Sequence, residues 1–225
     1  MASVAPRFSP SDSIILRVDH QTMTIDWVKS LPKTTVIASC RVLARMGVTS
    51  SIPLVVLTTT MEEYVGPTLP EIQEVAPDAF AARFKRGGTL SCFDQPELVA
   101  ALKATGRTNL ILAGLTTDIC LFWAARDAVR LGYNVNVIAD ACGTMSTIGD
   151  DTTFDRLRSL GVTVSVVNQI VTELENDFGT PGGLKAQQIL SEEVISKLVY
   201  TTGMGHRLVL PRQACGLSLF RDRLE

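Results

Sequence analysis

The stretch Asn109-Leu110-Ile111-Leu112-Ala113-Gly114-Leu115-Thr116-Thr117-Asp118-Ile119-Cys120-Leu121-Phe122-Trp123-Ala124-Ala125 decides the fold class. Leu110 to Ala113 reads as a strand with both faces buried, Gly114 to Thr117 as a turn, and Asp118 onward as a helix continuing through Ala128 and Val129. Cys120 then falls in the first turn of that helix. Unpaired N–H groups and the positive end of the helix dipole favour a thiolate there, and the same groups can bind a developing oxyanion. Packing is the default role of a lone cysteine beside an apolar strand. Charged residues at the ends of other strands move Cys120 away from that default.

Outward from this stretch, strand-like and helix-like segments alternate. Ser13 to Val18 reads as a strand and is followed by a helix near Thr34 to Met46; Pro53 to Thr58 reads as the next strand. A helix over Pro96 to Lys103 precedes the strand of the opening stretch. A strand over Val135 to Ala139, a helix near Thr152 to Leu160 and a strand over Val162 to Val167 follow. This βαβ alternation with nearly all-apolar strands predicts an α/β fold, a doubly wound open parallel sheet with helices on both faces and Rossmann-like strand order.

Length and composition set further bounds. The 225 residues support one large domain, expected over residues 1–190, with residues 191–225 as an extension packed on the body or on a neighbouring subunit. A formal net charge of −2 and the lack of a basic, aromatic-interleaved cluster argue against nucleic acid as a partner. No apolar run reaches the roughly 18 residues that span a bilayer, and the N-terminus lacks a secretory signal core, so a cytoplasmic protein is expected. Five cysteines (Cys40, Cys92, Cys120, Cys142, Cys215) without C-x-x-C pairs fit neither a disulfide framework nor a zinc site. No Gly-rich nucleotide signature follows the first strand. No cofactor and no metal are expected.

Ligands of such sheets bind outside the carboxyl ends of the strands. Those ends carry Asp19-His20-Gln21, Thr58-Thr59-Thr60, Lys85-Arg86, the Thr116 to Cys120 turn and Asp140-Ala141-Cys142-Gly143-Thr144. If the first strand lies beside that of Leu110, Asp19 and Cys120 face one crevice, and the carboxylate can take the thiol proton in place of a histidine. Arg86, or its neighbour Lys85, supplies a cation that keeps the carboxylate ionised or orients an anionic substrate. Gln21, Phe93 and Trp123 are candidate pocket residues, and Cys142 is a candidate resolving thiol if Cys120 is oxidised.

Val18-Asp19-His20-Gln21, the run from Arg86 through Gly87-Gly88-Thr89-Leu90-Ser91-Cys92-Phe93 to Asp94, and Gly114-Leu115-Thr116-Thr117-Asp118-Ile119-Cys120 resemble the three signature regions of the isochorismatase-like cysteine hydrolases. Within that superfamily the likeness is to the YcaC-type hydrolases, and it runs from about Ser11 to Asp177. The resemblance implies Cys120 as nucleophile, Asp19 as its base and Arg86 in the usual lysine slot, with Lys85 as the alternative. It also implies a non-proline cis peptide at Leu115-Thr116, backbone oxyanion donors at Thr116 and Cys120, and a homo-oligomer, with an octamer as one form. Two departures stand out: the metal signature of the nicotinamidase branch is missing, and a histidine common after the Asp-x-x-Gly-Thr segment is replaced by residues around Asp150, Asp151 and Thr152. The expected function is hydrolysis of a C–N, amide-type bond of a small molecule through a Cys120 thioester. The competing readings are a catalytically idle oligomeric scaffold and a redox-active thiol protein.

Overall fold

Ser13–Val18 forms a strand, β1, buried along its whole length. Asn109–Gly114 forms a second fully buried strand, β4, and the two run parallel with Ser13 opposite Asn109 and Val18 opposite Gly114. These coordinates are a computed structural model that describes residues 7–196, except for the side chains of residues 55–58. The remaining strands are β2 (Leu54–Thr60), β3 (Lys85–Arg86), β5 (Asn134–Ile138) and β6 (Thr163–Ser165). All are parallel, in the order β3-β2-β1-β4-β5-β6. This is the expected doubly wound sheet, and its direction of winding reverses between β1 and β4.

The helices follow from that order. α1 (Lys33–Thr49) carries the chain from β1 out to β2 and buries Val36, Cys40, Leu43 and Gly47, spaced as one helical face. Three helices return in the other direction: α2 (Pro96–Ala104) between β3 and β4, α3 (Phe122–Arg130) between β4 and β5, and α4 (Thr147–Ser159) between β5 and β6. Right-handed crossovers place these three on the face opposite α1. After β6, α5 (Val167–Leu174) and α6 (Pro181–Leu190) come back to pack against α1, so both faces are covered. Sequence alternation did not single out α5 or α6. Nor did it single out the short helical turns Glu62–Val65, Pro70–Val75 and Pro77–Ala81 that fill the long connection from β2 to β3.

The expected helix beginning at Asp118 needs a correction. Thr117–Leu121 is a π-helical turn, and the regular helix starts only at Phe122. The Leu121 N–H donates to the Thr116 carbonyl at 3.3 Å, five residues back, so the wide turn sits where the chain leaves the sheet. Residues 191–196 continue from α6 against α1, where Glu193 is held by Arg41 and Arg45. The rest of the expected extension, residues 197–225, lies outside the described residues. Among the described residues no helix is long and apolar enough to cross a membrane.

Candidate active site

β1 and β4 deliver two chemically different groups to one place. Asp19 leaves the end of β1 in a left-handed conformation (φ 55°), which a short polar side chain tolerates better than most. Thr24 fixes that turn: its Oγ1 donates to the Asp19 carbonyl at 2.7 Å and accepts from the Gln21 N–H at 3.0 Å. At the end of β4, the Leu115–Thr116 peptide is cis, as the resemblance implied. The Leu115 N–H donates to the Val18 carbonyl at 3.0 Å, and that of Thr117 to the Gly143 carbonyl at 3.0 Å, so the turn is tied to both neighbouring strand ends. Gly114 is required by closeness: a Cβ there would lie 3.0 Å from both Val18 Cβ and the Val18 carbonyl oxygen.

Arg86 reaches the same point from β3. Its Nη2 is ion-paired with Asp19 Oδ2, with the two side chains 3% and 0% exposed. Nη1 donates to the Thr89 carbonyl and to Thr60 Oγ1, the latter at 3.4 Å. Lys85, one residue earlier, points the other way across the pleat. It is 60% exposed and ion-paired with Glu62, not Asp19. The structure therefore brings together Asp19, Arg86 and Cys120 and leaves Lys85 outside.

The electrostatics revise one expectation. Burial raises Asp19 to about 6, against the opposing pull of Arg86 and of the nearby Cys120 thiol. Burial and the facing Asp19 carboxylate push Cys120 up to about 12, outweighing Arg86. A standing thiolate is not the resting form. The site instead holds a neutral thiol beside a buried carboxylate whose Oδ1 has no hydrogen-bond partner among the described residues, a base open to receive the proton.

The candidate pocket residues resolve differently. Gln21 is wholly buried and its amide is used up on backbone: Nε2 donates to the carbonyls of Thr60 (3.1 Å) and Gly66 (2.6 Å), and Oε1 accepts from the Thr60 N–H (3.2 Å). It is a strut for the β2 end that carries Thr60, not a substrate contact. Phe93 turns its ring toward Tyr133, centroids 6.4 Å apart, and Trp123 packs edge-on against Phe122 at 5.2 Å with Arg126 above it. Both make ring contacts on the α3 side while staying partly exposed. His20, whose Nε2 lies 2.8 Å from the Ala141 carbonyl oxygen, is buried and kept neutral by desolvation and by Arg17. Cys142 Sγ donates to the Ile138 carbonyl at 3.1 Å; Cys40, not Cys120, is the thiol whose charge bears on it. Among the described residues no group of three or more His, Cys, Asp or Glu side chains could hold a metal ion.

Comparison with known proteins gives this geometry a family. A model of the isochorismatase domain matches residues 15–169, which include Asp19, Arg86 and Cys120. The probable hydrolase YcaC of Escherichia coli is 28% identical over 172 residues, covering 76% of this chain and 82% of that protein. Its crystal structure, described as an octameric hydrolase of unknown specificity, superposes with a TM-score of 0.80 over 89% of this chain and 97% of the other. YcaC from Pseudomonas aeruginosa, solved with hexane-2,5-diol and covalent acrylamide, is also 28% identical, with a TM-score of 0.80 over 90% of this chain and all of the other. At 20% identity, the MAR1 ribonuclease of Caenorhabditis elegans shares the fold, with a TM-score of 0.73. The chain belongs to the isochorismatase domain family and is similar within it to the YcaC hydrolases.

Proposed function

We propose that this hydrolase-family chain is a cysteine amidohydrolase that cleaves a C–N bond of a small molecule through a Cys120 thioester. The observation that carries the reading is a buried Asp19 carboxylate that is ion-paired with Arg86 and acts on the neighbouring Cys120 thiol. As Cys120 Sγ attacks the substrate carbonyl carbon, its proton passes to Asp19. The N–H groups of Thr116 and Cys120 receive the oxyanion of the tetrahedral intermediate. Asp19 returns the proton to the departing nitrogen, leaving a thioester and a free amine. Water then attacks the thioester with Asp19 again as base, giving a carboxylic acid and the original thiol.

Arg86 acts on the base and not on the bond being cleaved. It keeps Asp19 ionised inside a buried site by pairing with Oδ2, and leaves Oδ1 without a partner among the described residues. The neutral resting thiol fits an enzyme that transfers the proton only when a carbonyl is in place. The covalent acrylamide in the Pseudomonas YcaC structure makes the same reagent a suitable probe for this chain. By the same likeness to the octameric Escherichia coli hydrolase, the working form is a homo-oligomer. Against a redox role, the buried Cys142 thiol is engaged with the Ile138 carbonyl at 3.1 Å, and Cys120 is not among the groups that act on it.

The test is an amide-library screen read by released ammonia or amine, with wild type against Cys120→Ala and Asp19→Asn. Turnover confined to wild type supports the reading. Equal turnover by Cys120→Ala refutes it, and no turnover of any amide by wild type favours the idle scaffold.

A further inference from the structure

The sequence pattern makes β1 an apolar strand, yet its fifth residue is Arg17, and that arginine is completely buried. Among the described residues none of its three guanidinium nitrogens has a hydrogen-bond partner. The groups that act on it electrostatically are the thiols of Cys40, on α1, and Cys142, after β5; it acts in turn on His20. All three neighbours are themselves buried, and His20 Nδ1 is a further buried polar atom without a partner. The nearby Ala141 carbonyl is already engaged, by His20 Nε2 at 2.8 Å and by Cys40 Sγ at 3.8 Å.

Charge accounting makes this cluster unusual. Moving a cation out of water is unfavourable by several kcal/mol unless a counter-charge and hydrogen bonds accompany it. Burial disfavours the charge on Arg17, but a guanidinium starts so far above neutrality that it keeps its proton. The thiols do not supply the missing negative charge, because burial pushes Cys40 up to about 11 and Cys142 well above the ordinary thiol value. Asp140, in the middle of the Ala139–Ala141 helical turn after β5, bears on Cys40 and accepts the Val167 N–H at 2.9 Å. It is not among the groups acting on Arg17. What remains is a fixed cation with several unsatisfied donors, enclosed by soft, weakly polar thiols.

We propose that Arg17, with Cys40, Cys142 and His20 around it, forms a buried site for one small monovalent anion of the halide class. Such an ion accepts hydrogen bonds from several directions and tolerates thiol neighbours. It would join β1, α1 and the segment after β5 directly beneath the Asp19 turn. The inference stands apart from the hydrolase reading, since Arg17 takes no part in the proposed reaction.

The test uses the full chain, dialysed into sodium gluconate and then titrated with sodium bromide at constant ionic strength, with thermal unfolding as the readout. The wild-type midpoint is expected to rise saturably by about 5 °C or more, as linkage predicts for an ion near a hundred times its Kd. Arg17→Met, which replaces the cation with an apolar side chain of similar length, is expected to lose the response. No wild-type response, or an equal response in the variant, overturns the proposal. Should Arg17→Met fail to fold, the anomalous signal of a bromide-grown wild-type crystal decides. A peak against the guanidinium upholds the site, and water or protein atoms there overturn it.

Discussion

Asp19 and Arg86, 67 residues apart in sequence, form an ion pair shielded almost entirely from water, and one end of that pair faces the Cys120 thiol. The base of the proposed reaction therefore depends on a cation delivered by a strand only two residues long. Removing that cation leaves a buried carboxylate without its counter-charge. Arg86→Met is expected to destabilise the protein by about 3 to 5 kcal/mol, read by urea unfolding, and to raise Asp19 further so that Cys120 labelling slows at neutral pH. Lys85→Met, which loses only a solvent-exposed pair with Glu62, is expected to change stability by about 1 kcal/mol or less and to leave labelling intact.

The pH profile follows from the direction of the Asp19 shift. Its folded-state value, about 6, lies above the ordinary 3.8, so between these values the native state binds more protons than the unfolded chain. The Asp19 contribution to stability accordingly falls as pH rises through that window and levels off above about 6. Activity runs the opposite way, because the base must be ionised. The kcat/KM for an active amide is expected to climb through an apparent pKa near 6, with no alkaline limb from Cys120 below pH 10 because that thiol sits near 12. A profile rising only above pH 8 would point to a freely ionising thiol instead.

Gln21 is expected to matter through position. Gln21→Leu strands the Thr60 N–H and carbonyl at the end of β2, where Thr60 Oγ1 meets Arg86, and the Gly66 carbonyl beyond it. A loss of about 1 to 3 kcal/mol in stability is expected, together with a fall in kcat that exceeds any rise in KM. A change confined to KM would restore Gln21 as a substrate contact.

Gly114→Ala tests the closeness of the two central strands. The added Cβ meets Val18 Cβ and its carbonyl at 3.0 Å, between paired backbones with little room to part. Destabilisation of about 1 to 3 kcal/mol is expected in urea unfolding. No loss would show that β1 and β4 separate more easily than their pairing implies.

The parts of this fold that reside in continuous patterns were legible in the sequence. The apolar runs of β1 and β4 mark strands covered on both faces, and the reversal of winding between them puts Asp19 and Cys120 in one crevice. The choice between Arg86 and Lys85 was not legible from the local pattern, because β3 is too short to show a period and a shift of one residue exchanges its faces. The resting state of Cys120 was misread for a related reason. A helix terminus argues for a thiolate, whereas the burial and the facing carboxylate that decide the matter arise only in three dimensions. Gln21, Phe93 and Trp123 lie beside the signature residues in sequence, but side-chain direction sends them to the backbone of the β2 end, to Tyr133 and to Phe122. Reading Ser13 to Val18 simply as an apolar strand passes over Arg17, whose complete burial shows only in three dimensions.

The central claim is that Asp19 activates Cys120, and the most direct measurement is the rate of acrylamide addition at each cysteine, resolved by peptide mass spectrometry, from pH 5 to 9. Wild-type Cys120 is expected to react far faster than buried Cys40, Cys92 and Cys142, with an onset near pH 6, and Asp19→Asn to lose about 100-fold or more of that rate. Labelling of Cys120 no faster than its buried neighbours, or a rate and onset unchanged in Asp19→Asn, would contradict the account.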